Sequence, residues 1–485
     1  MITPVSGLPA RRSPHPLFAY TQLFRLSRDV VGTLDELFSA LGPLCTLVPG
    51  DLRQQAPLAR WVFAYGPEHA RTFLAGHQLW HKPPLTKHLY PTGDKLGPRK
   101  EALRRWGTGL FGVNEDAHRE HRRLLNPVFS KRRTDALASQ MGRIVDEELD
   151  RWLPGGQIDL RHEMMALTLR IAAACLLGDD VGKGGGRGIG AELQGSIRAL
   201  LSPAVALLPY DLPGLPYRRF LDGVVRTDEA LRAMIAKKRA STGGDDVLSA
   251  LVEARDVEGA VLTEDELIGH AGVIFIAGHE TTSNALMWTM LLLSQHPEVA
   301  ADLVDEIQAV TGDRPPGPED FARMPLLDAV IRESMRLLPA VPVTIRRLGY
   351  DTDLEGAPVP QGTQLLLSNY HTHRMPEVYA DPRRFMPSRW ATLRPGPNEY
   401  IPFGTGPRVC IGAQFAMTEL KVVVSRLLRR FRLELPPTAR VDRYLAVALT
   451  VRDPLPMRVH AQDREFHANA RGFTGTVRAM VDWPA

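Results

Sequence analysis

Phe403-Gly404-Thr405-Gly406-Pro407-Arg408-Val409-Cys410-Ile411-Gly412 is the stretch on which the reading of this chain turns. It is a loop poor in bulky side chains, and an apolar pattern follows it. Phe415, Leu420, Val423, Val424, Leu427 and Leu428 recur at helical spacing, which predicts a helix with Cys410 at its N-terminus. The positive end of the helix dipole favours thiolate over thiol at such a position.

A thiolate held this way is the electron-donating axial ligand that a haem iron takes, with Phe403 placed to shield the sulfur and Arg408 to face an anion. Taken alone, a single cysteine is more often an ordinary small buried hydrophobe. The spacing Phe-x-x-Gly-x-Arg-x-Cys-x-Gly argues otherwise, since its chance occurrence is roughly one chain in ten thousand at background frequencies. On these residues the sequence resembles the cytochrome P450 family. The resemblance implies a predominantly α (α+β) fold, a helical single domain with a small β-rich region, holding haem b (iron protoporphyrin IX) with Cys410 as the metal ligand.

The rest of the chain is compatible with one such domain. Its 485 residues are 44% hydrophobic and 24% charged, ordinary values for a globular protein. Lys and Arg number 59 against 55 Asp and Glu, a formal charge of +4, too slight to argue for nucleic acid. Cys45, Cys175 and Cys410 are odd in number and far apart, so neither a disulfide framework nor a structural zinc site is expected. A reducing, cytoplasmic setting fits. Arg11 and Arg12 lead into Pro14, His15 and Pro16 rather than into the apolar core of a secretion signal, and no transmembrane anchor is expected. Residues 1–30 read as an N-terminal arm, 31–462 as the cytochrome P450 domain, and 463–485 as an extension beyond the family pattern.

Short strands are expected at Leu44 to Val48 and Trp61 to Tyr65, helices at Pro67 to Ala75, Thr134 to Trp152 and Arg161 to Leu177, and a final hairpin over Tyr444 to Val459. The glycine-rich run from Gly182 to Gly190 invites a phosphate-loop reading. It follows a helical pattern, however, and lacks a closing Gly-Lys-Ser/Thr, so it reads as a helix connection. Leu201 to Phe220 reads as a stiff apolar loop because of its prolines.

Thr263 and Glu266 make a capping box, and no proline intervenes before Pro297, so one helix should run from Glu264 to about Gln295, roughly 48 Å. Its middle, Ala277-Gly278-His279-Glu280-Thr281-Thr282-Ser283, sets small, acidic and hydroxyl residues among apolar ones. A zinc-protease His-Glu-x-x-His pattern fails there, because Ser283 stands where the second histidine belongs. The stretch resembles the oxygen-activation helix of the cytochrome P450 family, which implies room for dioxygen beside Ala277 and Gly278, and Glu280 and Thr281 as the catalytic acid and alcohol that deliver protons.

Further positions follow from the same resemblance. Glu333, Arg336 and Arg389 correspond to a buried structural triad; His118, Arg122, Arg346 and Arg408 to partners of the haem propionates. Arg119, Arg123, Lys131, Arg132 and Arg133 form a basic cluster, which implies docking of an acidic ferredoxin or flavodoxin type partner served by an NAD(P)H reductase. The Pro83 to Gly112 and Leu201 to Phe220 loops, Ile274, Ala277, Val341, Val343 and Leu449 are implied to line a pocket for a small apolar substrate. The expected activity is monooxygenation. A peroxide-using or rearranging haem-thiolate enzyme, and a non-catalytic haem-binding protein, are the alternatives.

Overall fold

The computed structural model describes residues 7–10, 18–46, 61–76, 79–83, 86, 89, 96–178, 189–200, 202, 204–205, 208–240, 243–255, 259–469 and 471–484. Its axis is the helix Glu264–Gln295, bounded as the capping box and Pro297 dictate. Both halves of the box form: Thr263 Oγ1 accepts from the Glu266 N–H (3.3 Å), and the Thr263 N–H donates to the Glu266 carboxylate (2.8 Å). Helices Pro98–Trp106, Leu160–Ala172, Pro216–Ala240, Pro325–Leu337 and Ala413–Arg430 pack around it, so it is buried along most of its length. Gly109 and Gly269 let one of these contacts form. A Cβ on Gly109 would lie 2.3 Å from the Gly269 carbonyl oxygen, and one on Gly269 would lie 2.4 Å from the Gly109 nitrogen.

Strands occupy one flank. Leu44–Thr46, Trp61–Ala64, Gln364–Ser368, Val343–Leu348 and Trp80–His81 form one sheet in that order. Within it, Trp61–Ala64 runs parallel to Gln364–Ser368 and the other pairings are antiparallel. The architecture is therefore mainly helical with a small β region, as expected. Among the described residues no helix is long and apolar enough to cross a membrane.

Glu333 is fully buried, as is Arg336, and the expected triad closes on it. Arg336 donates twice to its carboxylate (both 2.9 Å) and Arg389 Nε once (2.9 Å). Trp390 Nε1 (3.0 Å) and the Met386 N–H (3.0 Å) complete the acceptor set. A buried carboxylate is tolerable here because every lone pair has a donor.

Several local expectations need correction. Tyr444 to Val459 is not one hairpin: Arg443–Leu445 pairs with Leu449–Val451, whereas Pro456–Ala461 joins Gln157–Asp159 and Phe431–Glu434 in a separate sheet. Pro216 to Phe220 is the first turn and more of the helix Pro216–Ala240, with Pro216 in the first helical position, where its missing N–H costs nothing. The Pro83 to Gly112 segment contains the helix Pro98–Trp106 rather than loop throughout. The helix of Leu160–Ala172 ends in a wider π turn over Ala173–Leu177. Residues 47–48, 182–188, the Arg11-Arg12 pair, and parts of the two loops expected to line the pocket lie outside the described residues; Gly190 falls within the helix Ile189–Leu200.

Candidate active site

The Cys410 loop is held by its own backbone. The Cys410 N–H donates to the Phe403 carbonyl (2.8 Å), Val409 N–H to Gly406 (3.0 Å), and the helix Ala413–Arg430 begins three residues on. Gly406 is required, since it has φ 71° and a Cβ there would lie 2.6 Å from the Leu74 carbonyl oxygen. Of the three cysteines only Cys410 is exposed. Protein nevertheless surrounds its sulfur closely enough that burial raises the thiol above its ordinary value, against the Gly412 N–H, Arg122 and Lys82, which pull it down. Cys45, by contrast, has no cation against it and burial pushes it up to about 12.

A rim of cations surrounds this loop. Arg122 Nη1 donates to the Val409 carbonyl (2.6 Å), and Arg408 Nη2 donates to the Val113 carbonyl and to Asn114 Oδ1 (both 2.6 Å). Arg346 is 7% exposed, and its Nη1 donates to the Ile345 carbonyl (3.0 Å). His118 is buried one turn before Arg122 on the helix Glu115–Leu125. Burial lowers Arg346 to about 10, helped by Arg408, and lowers Arg408 to about 10, helped by Arg122. Among the described residues no carboxylate pairs with Arg122, Arg346 or Arg408.

Sequence reasoning missed two members of this rim. Lys82 sits with Nζ 3.2 Å from the Phe111 ring centroid; burial lowers it to about 7, and Arg346 and Arg408 add to that. Asn114 stands at the N-cap position of the helix Glu115–Leu125, but its side chain makes no capping bond. Its carboxamide bridges the Lys82 N–H (2.9 Å) and Lys82 carbonyl (3.2 Å) while also accepting from Arg408. No local pattern signals either role.

Beyond its first turn the central helix is buried throughout except at Ile276, Ala277, Gly278, Glu280 and Thr281, which are partly exposed. Thr281 Oγ1 donates to the Ala277 carbonyl (2.7 Å) and Thr282 Oγ1 to Gly278 (3.0 Å). The Glu280 carbonyl accepts from Ser283 Oγ (2.9 Å) and Asn284 Nδ2 (2.7 Å). The side of Gly278 where a Cβ would stand is filled by Leu176 Cδ1, 2.8 Å away, so glycine there serves helix packing as well as any ligand space. Phe403 is partly buried against the main core. A cleft of about 320 Å³ between the helices Ile189–Leu200 and Pro216–Ala240 is lined by none of these residues.

An exposed cysteine just ahead of a helix, a hydroxyl-bearing helix segment and a rim of cations without carboxylate partners among the described residues are features that a negatively charged cofactor would need. Comparison with known proteins makes the class specific. The family model described as Cytochrome P450 matches residues 10–459, and the chain belongs to that family. It is 34% identical over 388 residues to cyclooctatin synthase of Streptomyces melanosporofaciens, covering 77% of this chain and 82% of that protein. It is 31% identical to pentalenene oxygenase of Streptomyces avermitilis (74% and 80% covered) and 30% identical to cyclooctat-9-en-7-ol 5-monooxygenase of S. melanosporofaciens (76% and 81%). Among solved structures, a retinoic acid bound cyanobacterial CYP120A1 superposes with a TM-score of 0.78 at 25% identity, covering 94% of this chain and 99% of the other. The protein is thus a haem-dependent oxidoreductase, a monooxygenase of the cytochrome P450 family, a class whose members act on small molecules with redox partners.

Proposed function

We propose that the protein inserts one oxygen atom from dioxygen into a small, mainly apolar substrate, with haem b lying between the Cys410 loop and the Ala277–Thr281 face. One observation carries the reading. Arg122, Arg346, Arg408 and Lys82 converge beside an exposed cysteine, and among the described residues no carboxylate pairs with them; buried and half-buried cations of this kind call for an anionic partner. The two propionates of haem fit that need, and the open sulfur fits an axial ligand. When bound, haem supplies redox-active iron, and a thiolate ligand raises its capacity to cleave the O–O bond by donating electron density.

The chain's residues divide the remaining work. Cys410 furnishes the thiolate and Phe403 shields it; His118, Arg122, Arg346 and Arg408 hold the propionates, and Lys82 joins them. Thr281 holds a proton on Oγ1 at the substrate side, and the Glu280 carboxylate replenishes it from solvent. Ile274, Ala277, Val341, Val343 and Leu449 give the pocket an apolar lining. Two relatives carry an olefin and an unsaturated alcohol in their names, and a similar, mostly hydrocarbon substrate suits that lining. Arg119, Arg123, Lys131, Arg132 and Arg133 offer a basic face to an acidic ferredoxin or flavodoxin type protein with its NAD(P)H reductase, in the cytoplasm.

The test is turnover of a hydrocarbon panel with NADPH, a ferredoxin and its reductase. Thr281→Val should keep NADPH consumption within about threefold while most reducing equivalents leave as peroxide, a loss expected when one general-acid group is removed. Unchanged product per NADPH in that variant would refute the role given to Thr281. Product formation with peroxide and no NADPH requirement would favour the peroxide-using alternative.

A further inference from the structure

Residues 463–484 lie beyond the part of the chain matched to the family, yet they are built into the molecule. Phe466, Phe473, Val477, Met480 and Val481 are buried in the main hydrophobic cluster. Asp463 accepts from Arg432 through both carboxylate oxygens (2.7 and 2.9 Å), and Asn469 Nδ2 donates to the carbonyls of Ser294 (3.2 Å) and Leu433 (3.0 Å). The Gly472 N–H donates to Gln295 Oε1 (3.0 Å). The tail therefore starts by clasping the C-terminal end of the central helix.

It then runs along residues 439–443, the approach to the hairpin of Arg443–Leu445 and Leu449–Val451. The Thr474 N–H donates to the Ala439 carbonyl (3.0 Å), Val441 N–H to Thr474 (2.8 Å) and Val477 N–H to Val441 (3.1 Å). Thr476 contributes twice: its N–H donates to Asp442 Oδ1 (2.8 Å), and its Oγ1 accepts from the Arg443 N–H (2.8 Å). Between them Gly475, at φ 106°, lies so close that a Cβ would stand 2.4 Å from the Val441 carbonyl oxygen. That contact is backbone on backbone and excludes every other residue.

The hairpin thus held reaches the central helix. The Leu449 carbonyl accepts from Trp288 Nε1 (2.9 Å) and the Leu449 N–H donates to Ala340 (2.8 Å), two turns along the helix from Thr281. We infer that segment 463–484 is a positioning strap, fixing residues 439–449 against the central helix and so setting one wall of the substrate pocket. The inference rests on the proposed reading that Leu449 faces substrate. Its chemistry is selective: none of the strap's bonds named above goes to the Cys410 loop or the cation rim, so loosening it should alter how large ligands fit and leave the cofactor's own ligation as it was.

The experiment uses the full-length holoprotein, with Gly475→Ala and Thr476→Val as two independent ways to lift the strap and Thr476→Ser to restore the lost acceptor. Two probes are titrated by the Soret shift: imidazole, which reports the iron position alone, and 4-phenylimidazole, whose ring must also fit the pocket. Backbone hydrogen exchange is followed over residues 439–449. In Gly475→Ala and Thr476→Val, exchange should quicken about tenfold and the ratio of the two dissociation constants change about threefold or more, the scale of one hydrogen bond, while imidazole alone binds as before and Thr476→Ser behaves as wild type. Exchange and ratio both unaltered in the two variants would overturn the strap alone. A wild-type holoprotein that answers neither azole would remove the pocket reading and the strap with it.

Discussion

Replacing Lys82 with methionine tests the cation rim most directly, because Lys82, unlike the three arginines beside it, is lowered into an accessible range. Burial beside Arg346 and Arg408 lowers it from 10.5 to about 7, a drop worth roughly 5 kcal/mol at 1.36 kcal/mol per decade as an upper bound. The folded, cofactor-free protein then binds fewer protons than the unfolded chain between about pH 7 and 10.5. Its stability is depressed below that window and recovers as pH rises through it. Anionic propionates beside Lys82 would restore its proton, so cofactor binding takes up a proton above about pH 7 and affinity falls as pH rises, by up to about tenfold per pH unit. Cys410 loses its proton on ligation in wild type and variant alike, so the difference between the two isolates Lys82. Cofactor-free protein is titrated with haemin between pH 6 and 9, following the Soret band. The ratio of wild-type to Lys82→Met affinity should be level near pH 6 and fall by up to about a hundredfold by pH 9. Parallel pH curves for the two proteins would refute the placement of Lys82 against the cofactor's anionic edge.

Other outcomes follow from single contacts. Glu333→Ala strips Arg336, Arg389, Trp390 Nε1 and the Met386 N–H of their shared acceptor; about 3–5 kcal/mol of stability should be lost in urea melts. Gly109→Ala drives a methyl into the Gly269 carbonyl, and a loss of roughly 1–3 kcal/mol, the usual cost of overpacking, should appear as a lower melting temperature. Charge reversal of Arg123, Lys131 and Arg133 to Glu should slow reduction by an acidic ferredoxin about tenfold or more at low salt, with the gap closing as salt rises; equal stopped-flow rates at low salt would dismiss that face as the docking surface.

What could be read from the sequence was whatever short-range chemistry decides. The central helix begins and ends where expected because Thr263, Glu266 and Pro297 act within one turn of its ends. The triad was legible through the family resemblance, to which the shared helix face of Glu333 and Arg336 adds only local consistency. The cation rim was only half legible. Lys82 reaches it because Trp80–His81 pairs with the strand carrying Arg346 and Arg347, a pairing between remote segments that no local pattern encodes. Asn114 is instructive in another way: it stands at an N-cap position with a residue type suited to capping, yet Arg408 and the Lys82 backbone take its carboxamide. Glu115, the next residue, adopts φ 52°, a conformation unusual for a residue with a side chain, where the helix starts without its cap. The same competition explains the C-terminal region. Tyr444 to Val459 alternates as strands should, but its second half pairs with Gln157–Asp159 instead of closing a hairpin, and the segment beyond supplies the contacts that the shorter hairpin lacks. At Asn114 and in the second half of Tyr444 to Val459 alike, a partner remote in sequence takes groups that the local pattern would have used, and at such positions a reading from sequence alone stops short.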